Sequence, residues 1–199
     1  MRPKPVHQED PVNRLWPLYC RGDREALGRL VEHCYKSLYH YGTKFTHDRE
    51  LIKDCLQDLF LDIWVKREQL AEVASPRPYL FQAFRNNLLH RIRQSQRFSE
   101  MSSDDERDFS SLSSEAEWIR RETECGLEQK LHQVMELLPK RQREALYLRY
   151  YENLSYEEIA TVMGLRRQAV ANYLQYGIQK LRDYWQQTVI SLILMVVNF

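Results

Sequence analysis

The sequence predicts an all-α protein: two helical domains joined by an acidic flexible linker, the second carrying a helix-turn-helix. Three observations predict it. Apolar residues recur at three- and four-residue spacing along most of the chain and nowhere alternate as in a strand. Glycines number 6 in 199 residues, too few for a turn-rich β architecture. Between the two periodic stretches, residues 99–114 (SEMSSDDERDFSSLSS) are Ser-rich and acidic, with little apolar surface to bury.

The opening residues, MRPKPVHQEDP, contain no apolar run and so do not read as a secretory signal. Asp23 is placed to cap a first helix through Ala26, Leu27, Leu30, Val31, Cys34, Leu38 and Tyr41. Asp48 is placed to cap a second, bearing Leu51, Ile52, Cys55, Leu56, Leu59, Phe60, Ile63 and Trp64. A third begins near Pro76–Pro78, since proline is tolerated in a first turn, and continues through Leu80, Phe84, Leu88 and Ile92. Beyond the acidic stretch, helical pattern resumes near Glu115 and runs through Leu127, Leu131, Val134 and Leu138. Pro139 opens another helix with Ala145, Leu146, Leu148 and Tyr150. The expected organisation is a tail over 1–13, a domain over 14–98, the linker over 99–120, a second domain over 121–186 and an apolar tail over 187–199. That last tail is too short to span a bilayer. It reads as a helix end packing on the second domain, with a partner or weak membrane contact as the alternative.

Segment 154–182, LSYEEIATVMGLRRQAVANYLQYGIQKLR, carries the clearest local signal. Ser155 and Glu158 have capping-box spacing. Ile159, Ala160 and Met163 share a face, and Gly164 can adopt the positive φ that stops a helix. Val170, Leu174, Ile178 and Leu181 would pack the next helix back. Its other face offers Arg166, Arg167, Gln168, Asn172, Tyr173 and Tyr176. No Asp or Glu occurs from Ile159 to Arg182, as suits a surface that must approach phosphates. The bland alternative is a helical hairpin with a solvated basic face.

Charge is segregated rather than abundant: the formal net charge is +1, but acid and base lie in separate blocks. Residues 75–99 also lack Asp and Glu. They carry Arg77, Arg85, Arg91, Arg93 and Arg97 among Tyr79, Phe81, Phe84, Asn86, Asn87 and His90. Guanidinium groups suit phosphates and aromatic rings can stack on unpaired bases; alternatively, part of this aromatic set is core. Asp54, Asp58 and Asp62 form an i, i+4, i+8 ridge with Gln57 beside it, either a solvated face or a dock for a basic partner. Cys20, Cys34, Cys55 and Cys125 show no C-x-x-C spacing and read as small apolar residues in a reducing compartment. No nucleophile–base pair, Gly-rich phosphate loop or metal-ligand spacing is present. The expectation is therefore no enzyme, no catalytic or metal-ligating residues, no cofactor and no small-molecule substrate.

Taken in order, these constellations resemble an extracytoplasmic-function (ECF) RNA polymerase sigma factor of the sigma-70 family, over about Leu15 to Arg182. The stretches that carry the resemblance are GDREALGRLVEHCYKSLYHYGTKFTHDRELIKDCLQDLFLDIW, YLFQAFRNNLLHRIRQSQR and LPKRQREALYLRYYENLSYEEIATVMGLRRQAVANYLQYGIQKLR. The resemblance implies that 14–98 is region 2, for core binding, −10 recognition and melting, and that 121–186 is region 4, for −35 recognition. It implies core polymerase binding through Asp54, Gln57, Asp58, Leu61 and Trp64. It implies −10 contacts through Arg77, Arg85, Asn86, Arg91 and Arg93, with a loop near Glu68–Arg77 capturing a flipped base. The −35 element would be read by Arg166, Arg167, Gln168, Asn172, Tyr173 and Tyr176, and the acidic linker would thread toward the polymerase active site. Implied partners are core RNA polymerase, promoter DNA and an anti-sigma factor, often membrane-linked; the implied location is the cytoplasm. A stand-alone helix-turn-helix regulator is the alternative, but it would need neither the acidic ridge nor the basic-aromatic helix. Two departures stand out. Ala171, Tyr173 and Tyr176 occupy positions where the family usually has Lys or Arg, and His90 stands where it often has Asp. The first implies weaker, less salt-dependent −35 binding.

Overall fold

The structure is a computed structural model that describes residues 10–100, 135 and 137–197. The expected linker beyond Glu100, the helical pattern from Glu115 to Val134 and Cys125 lie outside the described residues. No strand occurs among the described residues. The chain divides into two compact units, Met1–Glu115 and Ala116–Phe199.

The first unit holds α1 (Pro11–Cys20), α2 (Arg24–Gly42), α3 (Arg49–Lys66) and α4 (Pro76–Glu100). Acid caps start the first three. Asp10 accepts from Val12 N at 3.0 Å, Asp23 from Glu25 N at 2.9 Å and Ala26 N at 3.1 Å, and Asp48 from Leu51 N at 2.9 Å. Each satisfies backbone donors that the helix start leaves open. Helix α1 departs from the sequence-based expectation, in which residues 11–13 belong to a tail and the first helix follows Asp23. Its interior Pro17 argues against a helix. Tertiary burial overrides that local cost, because Val12, Trp16, Tyr19 and Cys20 all turn inward.

Tyr41 sits at the centre of this unit. Its ring lies 5.0 Å from Phe45, 5.2 Å from Phe81 and 6.5 Å from Phe84. Gly42 lets α2 approach both neighbours closely: a Cβ there would meet Ile52 Cγ2 and Phe84 Cζ, each at 3.0 Å. The Tyr19 hydroxyl donates to the Ile63 carbonyl of α3. Cys20, Cys34 and Cys55 are buried, as small apolar residues are.

The second unit holds α5 (Lys140–Tyr150), α6 (Tyr156–Met163) and α7 (Arg167–Val197). The capping box forms: Glu158 N donates to Ser155 Oγ at 3.2 Å and Ser155 N to Glu158 Oε2 at 2.7 Å. Gly164 takes φ 62° and ends α6. Ile159, Val162 and Met163 are buried, whereas Ala160 lies only partly inside. Val170 and Leu174 anchor α7; Ile178 and Leu181 are half-buried. Gly177 brings α7 against α5, where a Cβ would stand 2.8 Å from Leu146 Cδ1. A buried carboxylate, Glu152, accepts from the Tyr147 hydroxyl at 3.1 Å. The apolar end of the chain continues α7 without a break to Val197. Among the described residues no helix is long and apolar enough to cross a membrane.

Candidate nucleic-acid interface

The acidic ridge faces outward from α3. Asp54, Gln57 and Asp62 are exposed, and Leu61 is 57% exposed. Asp58 is half-buried because it receives a hydrogen bond from the Arg91 guanidinium of α4. Asp62 pairs with Lys66 at 3.2 Å, one turn on. Trp64 points inward instead: it is half-buried, 6.3 Å from the Tyr19 ring, with the Arg67 guanidinium 4.9 Å from its own ring centroid. It props the helix from beneath. Sequence reasoning missed Val65, which is 76% exposed and follows Leu61 by four residues. The signal was present, since an i, i+4 apolar pair on the side opposite the core is a surface stripe. The outward face of α3 is therefore mixed, carboxylates beside two aliphatic side chains.

The structure sorts the basic-aromatic set of α4 into two groups. Phe81 and Phe84 are core, so base stacking is closed to them. Tyr79 is half-buried with its ring 6.2 Å from Trp16, edge to face. Asn86, His90 and Arg93 are exposed at helical spacing on one face. Arg93 Nε donates to Leu89 O of its own helix at 3.1 Å. Arg85 is half-buried. Arg77 pairs with Asp10 at 3.3 Å, and Arg91 is held by Asp58. The side chain of Arg97 lies outside the described residues.

Helix α1 steadies the segment between α3 and α4 at two points. Trp16 Nε1 donates to Leu70 O at 3.0 Å, and Asp10 takes Arg77 at the start of α4. The segment near Glu68–Arg77, expected to capture a base, is thus tied to a helix absent from the sequence-based expectation.

In the second unit Arg166, Arg167, Gln168 and Asn172 are exposed on the first two turns around and within α7. Tyr173 is half-buried and Tyr176 is 62% exposed. Several of these side chains are already engaged with one another or with α6. Gln168 Nε2 donates to Asn172 Oδ1 at 3.1 Å. Arg167 Nε donates to Glu157 Oε1, and its guanidinium lies 5.8 Å from the Tyr156 ring centroid. Glu157's own backbone N–H, then the Arg167 guanidinium, holds the Glu157 carboxyl below the usual carboxylate range. Glu157 and Tyr156 are not among the expected site residues; they stand just before the acid-free run that marks this segment.

The model of Sigma-70 region 2 matches residues 30–98, and that of Sigma-70 region 4 matches residues 128–181. The chain belongs to the sigma-70 family of RNA polymerase sigma factors. As a sigma factor it serves transcription initiation at promoters, and its region 2 sets it apart from a stand-alone regulator. It is 28% identical over 171 residues to RNA polymerase sigma factor NccH of Alcaligenes xylosoxydans xylosoxydans, covering 84% of this chain and 91% of that protein. It is 22% identical over 191 residues to ECF RNA polymerase sigma factor SigK of Mycobacterium ulcerans, covering 90% of this chain and 96% of that one. The fold is also that of the sigma factor RpoE of Bartonella quintana, solved with the anti-sigma factor NepR. The TM-score is 0.60 at 18% identity, over 80% of this chain and 96% of that one. Among the described residues no group of three or more His, Cys, Asp or Glu side chains is placed to hold a metal ion.

Proposed function

We infer that this sigma factor docks on core polymerase through the outward face of α3 and meets promoter DNA through two separate surfaces. The dock is Asp54, Gln57, Asp58, Leu61 and Val65, with Trp64 supporting them from the core side. The −10 surface is the exposed side of α4, Asn86, His90 and Arg93, with Arg85 and Arg91 at its edge. Arg77 acts on it indirectly, by holding the segment before α4 to α1. The −35 surface is Arg166, Arg167, Gln168, Asn172, Tyr173 and Tyr176. The observation that carries this reading is the mixed face of α3. Exposed carboxylates interrupted by Leu61 and Val65 suit a partner that is both basic and apolar. Leu61 and Val65, exposed to 57% and 76% and four residues apart, set an apolar strip among those carboxylates.

The protein has no catalytic activity or small-molecule substrate of its own and works in the cytoplasm, where polymerase is. An anti-sigma factor, of the kind bound to RpoE in the solved complex and often membrane-linked in this family, is its inhibitory partner. Core pull-down tests the dock. Leu61→Asp should abolish retention of core while helicity stays intact, and full retention would return α3 to a solvated face. Run-off transcription then tests the DNA surfaces. Arg167→Ala and Asn172→Ala should lose preference for a matched −35 element without losing core.

A further inference from the structure

Glu157 and Arg167 meet across the turn of the helix-turn-helix. Glu157 lies in the first turn of α6, Arg167 opens α7, and the guanidinium Nε donates to the carboxylate. Two guanidinium groups lie over the Tyr156 ring, Arg167 at 5.8 Å and Arg149 at 5.5 Å from its centroid. Arg149 is itself fixed, its Nη1 donating to Leu154 O at 2.9 Å. The Glu157–Arg167 partners stay 65% and 61% exposed, so the pair adds little to fold stability.

A carboxylate at the front of a DNA-reading surface is unfavourable for affinity, because it repels phosphate. Its place in the first turn of α6 is favourable for the helix, but that accounts for a carboxylate at this position and not for its contact with Arg167. An unrestrained arginine at the start of a reading helix engages the nearest phosphate whatever the sequence, and such contacts position a protein without informing it. A guanidinium tethered by a carboxylate on one side and an aromatic ring beside it has lost that freedom. It retains its other N–H donors for a base edge presented in the major groove. Gln168 and Asn172 next to it are likewise engaged, Gln168 Nε2 donating to Asn172 Oδ1 at 3.1 Å. DNA must replace these bonds to be bound, and only a site with acceptors and donors in the right places replaces them in full.

We propose that Glu157 is a specificity-determining positioning residue: by holding Arg167 beside Tyr156 it withholds that guanidinium from phosphate and reserves it for base reading. The proposal rests on the placement of the −35 surface at the start of α7.

The test uses full-length protein in polymerase holoenzyme. Promoter duplexes are selected by the wild-type holoenzyme from a library randomised at −35, and each is paired with a scrambled −35 partner. Wild type, Glu157→Gln, Arg167→Ala and the double variant are compared for discrimination and for salt dependence. Glu157→Gln should lower the matched-to-scrambled ratio by about fivefold or more. It should also strengthen binding to scrambled DNA and steepen the salt slope by about 0.9, as the neutralisation of one further phosphate requires. In the Arg167→Ala background it should leave discrimination unchanged. Unaltered discrimination in Glu157→Gln, with Arg167→Ala still impaired, overturns the proposal and leaves the −35 surface standing. An equal loss in both backgrounds also overturns it, since Glu157 would then act as a first-turn helix charge and not through Arg167. An Arg167→Ala protein that discriminates like wild type sinks the assignment of Arg167 to −35 reading, and the proposal with it.

Discussion

The Arg91 guanidinium on α4 donates to the Asp58 carboxylate on α3, a pair separated by 33 residues in sequence. One partner stands on the surface assigned to polymerase and the other at the edge of the surface assigned to −10 DNA. Beneath them Cys55 is buried, and its thiol feels both charges.

This pair yields a prediction with two readouts. Arg91→Ala removes an ion pair whose side chains are 35% and 44% exposed, so the stability loss should be small, about 0.5–1 kcal/mol. Asp58→Lys places like charges together and should cost more, with core association falling by at least roughly tenfold. The exchange Asp58→Arg with Arg91→Asp should recover stability but not core binding. Thermal melts and a core pull-down distinguish the two; unchanged core affinity in Asp58→Lys would remove Asp58 from the dock.

Trp16→Phe keeps an aromatic ring and loses the hydrogen bond to Leu70 O. The expected destabilisation is about 1 kcal/mol, concentrated in the segment between α3 and α4. Amide exchange should quicken around residues 67–75 more than in α2, and permanganate footprinting should show less −10 melting. Uniform protection across that segment would mean that the bond does not restrain it.

Two glycines of the second unit should respond for different reasons. Gly177→Ala drives a methyl to 2.8 Å from Leu146 Cδ1, and overpacking of this kind costs about 1–3 kcal/mol. Gly164→Ala meets open space, so only the positive φ of 62° opposes it, about 1 kcal/mol. Denaturant titration of each variant should rank Gly177→Ala as the more damaging; the reverse order would contradict the packing of α7 on α5.

Burial raises the Cys55 and Cys20 thiols above their ordinary value of 9.0. In the unfolded chain these thiols release protons near that value, whereas the folded chain retains them. The folded state therefore binds more protons once the pH exceeds about 9, and its stability falls as pH rises toward the folded values. Below the unfolded value the thiols contribute no pH dependence. Melting temperature should thus decline on the alkaline side, and the decline should lessen in a Cys20→Ala, Cys55→Ala protein compared with its own neutral value. A thiol reagent at neutral pH should label these two positions only after unfolding.

Much of the fold was legible locally. Asp23, Asp48 and Ser155 each cap the helix that their spacing announced, because a cap is a contact within four residues and needs no tertiary context. Gly164 ends α6 for the same reason. Helix α1 was missed although Asp10 and Pro11 give it a local start, since Pro17 speaks against it and the burial of Trp16 and Tyr19 against distant residues offsets that cost. The candidate surfaces divide the same way. Arg166, Gln168 and Asn172 are exposed where helical spacing put them. The engagement of Arg77 with Asp10, Arg91 with Asp58 and Arg167 with Glu157 spans 67, 33 and 10 residues and left no periodic trace.

The sequence by itself determined the class, the helices with polar caps, the turn at Gly164 and the separation of acidic from basic blocks, because each is set by residues near one another in the chain. The tertiary structure alone decided which aromatic residues are core and which basic residues have a carboxylate beside them. It made Phe81 and Phe84 neighbours of Tyr41 and put Glu157 against Arg167. The physical reason is range. Capping and helical periodicity act over a few residues, whereas burial and ion pairing depend on which helices pack together.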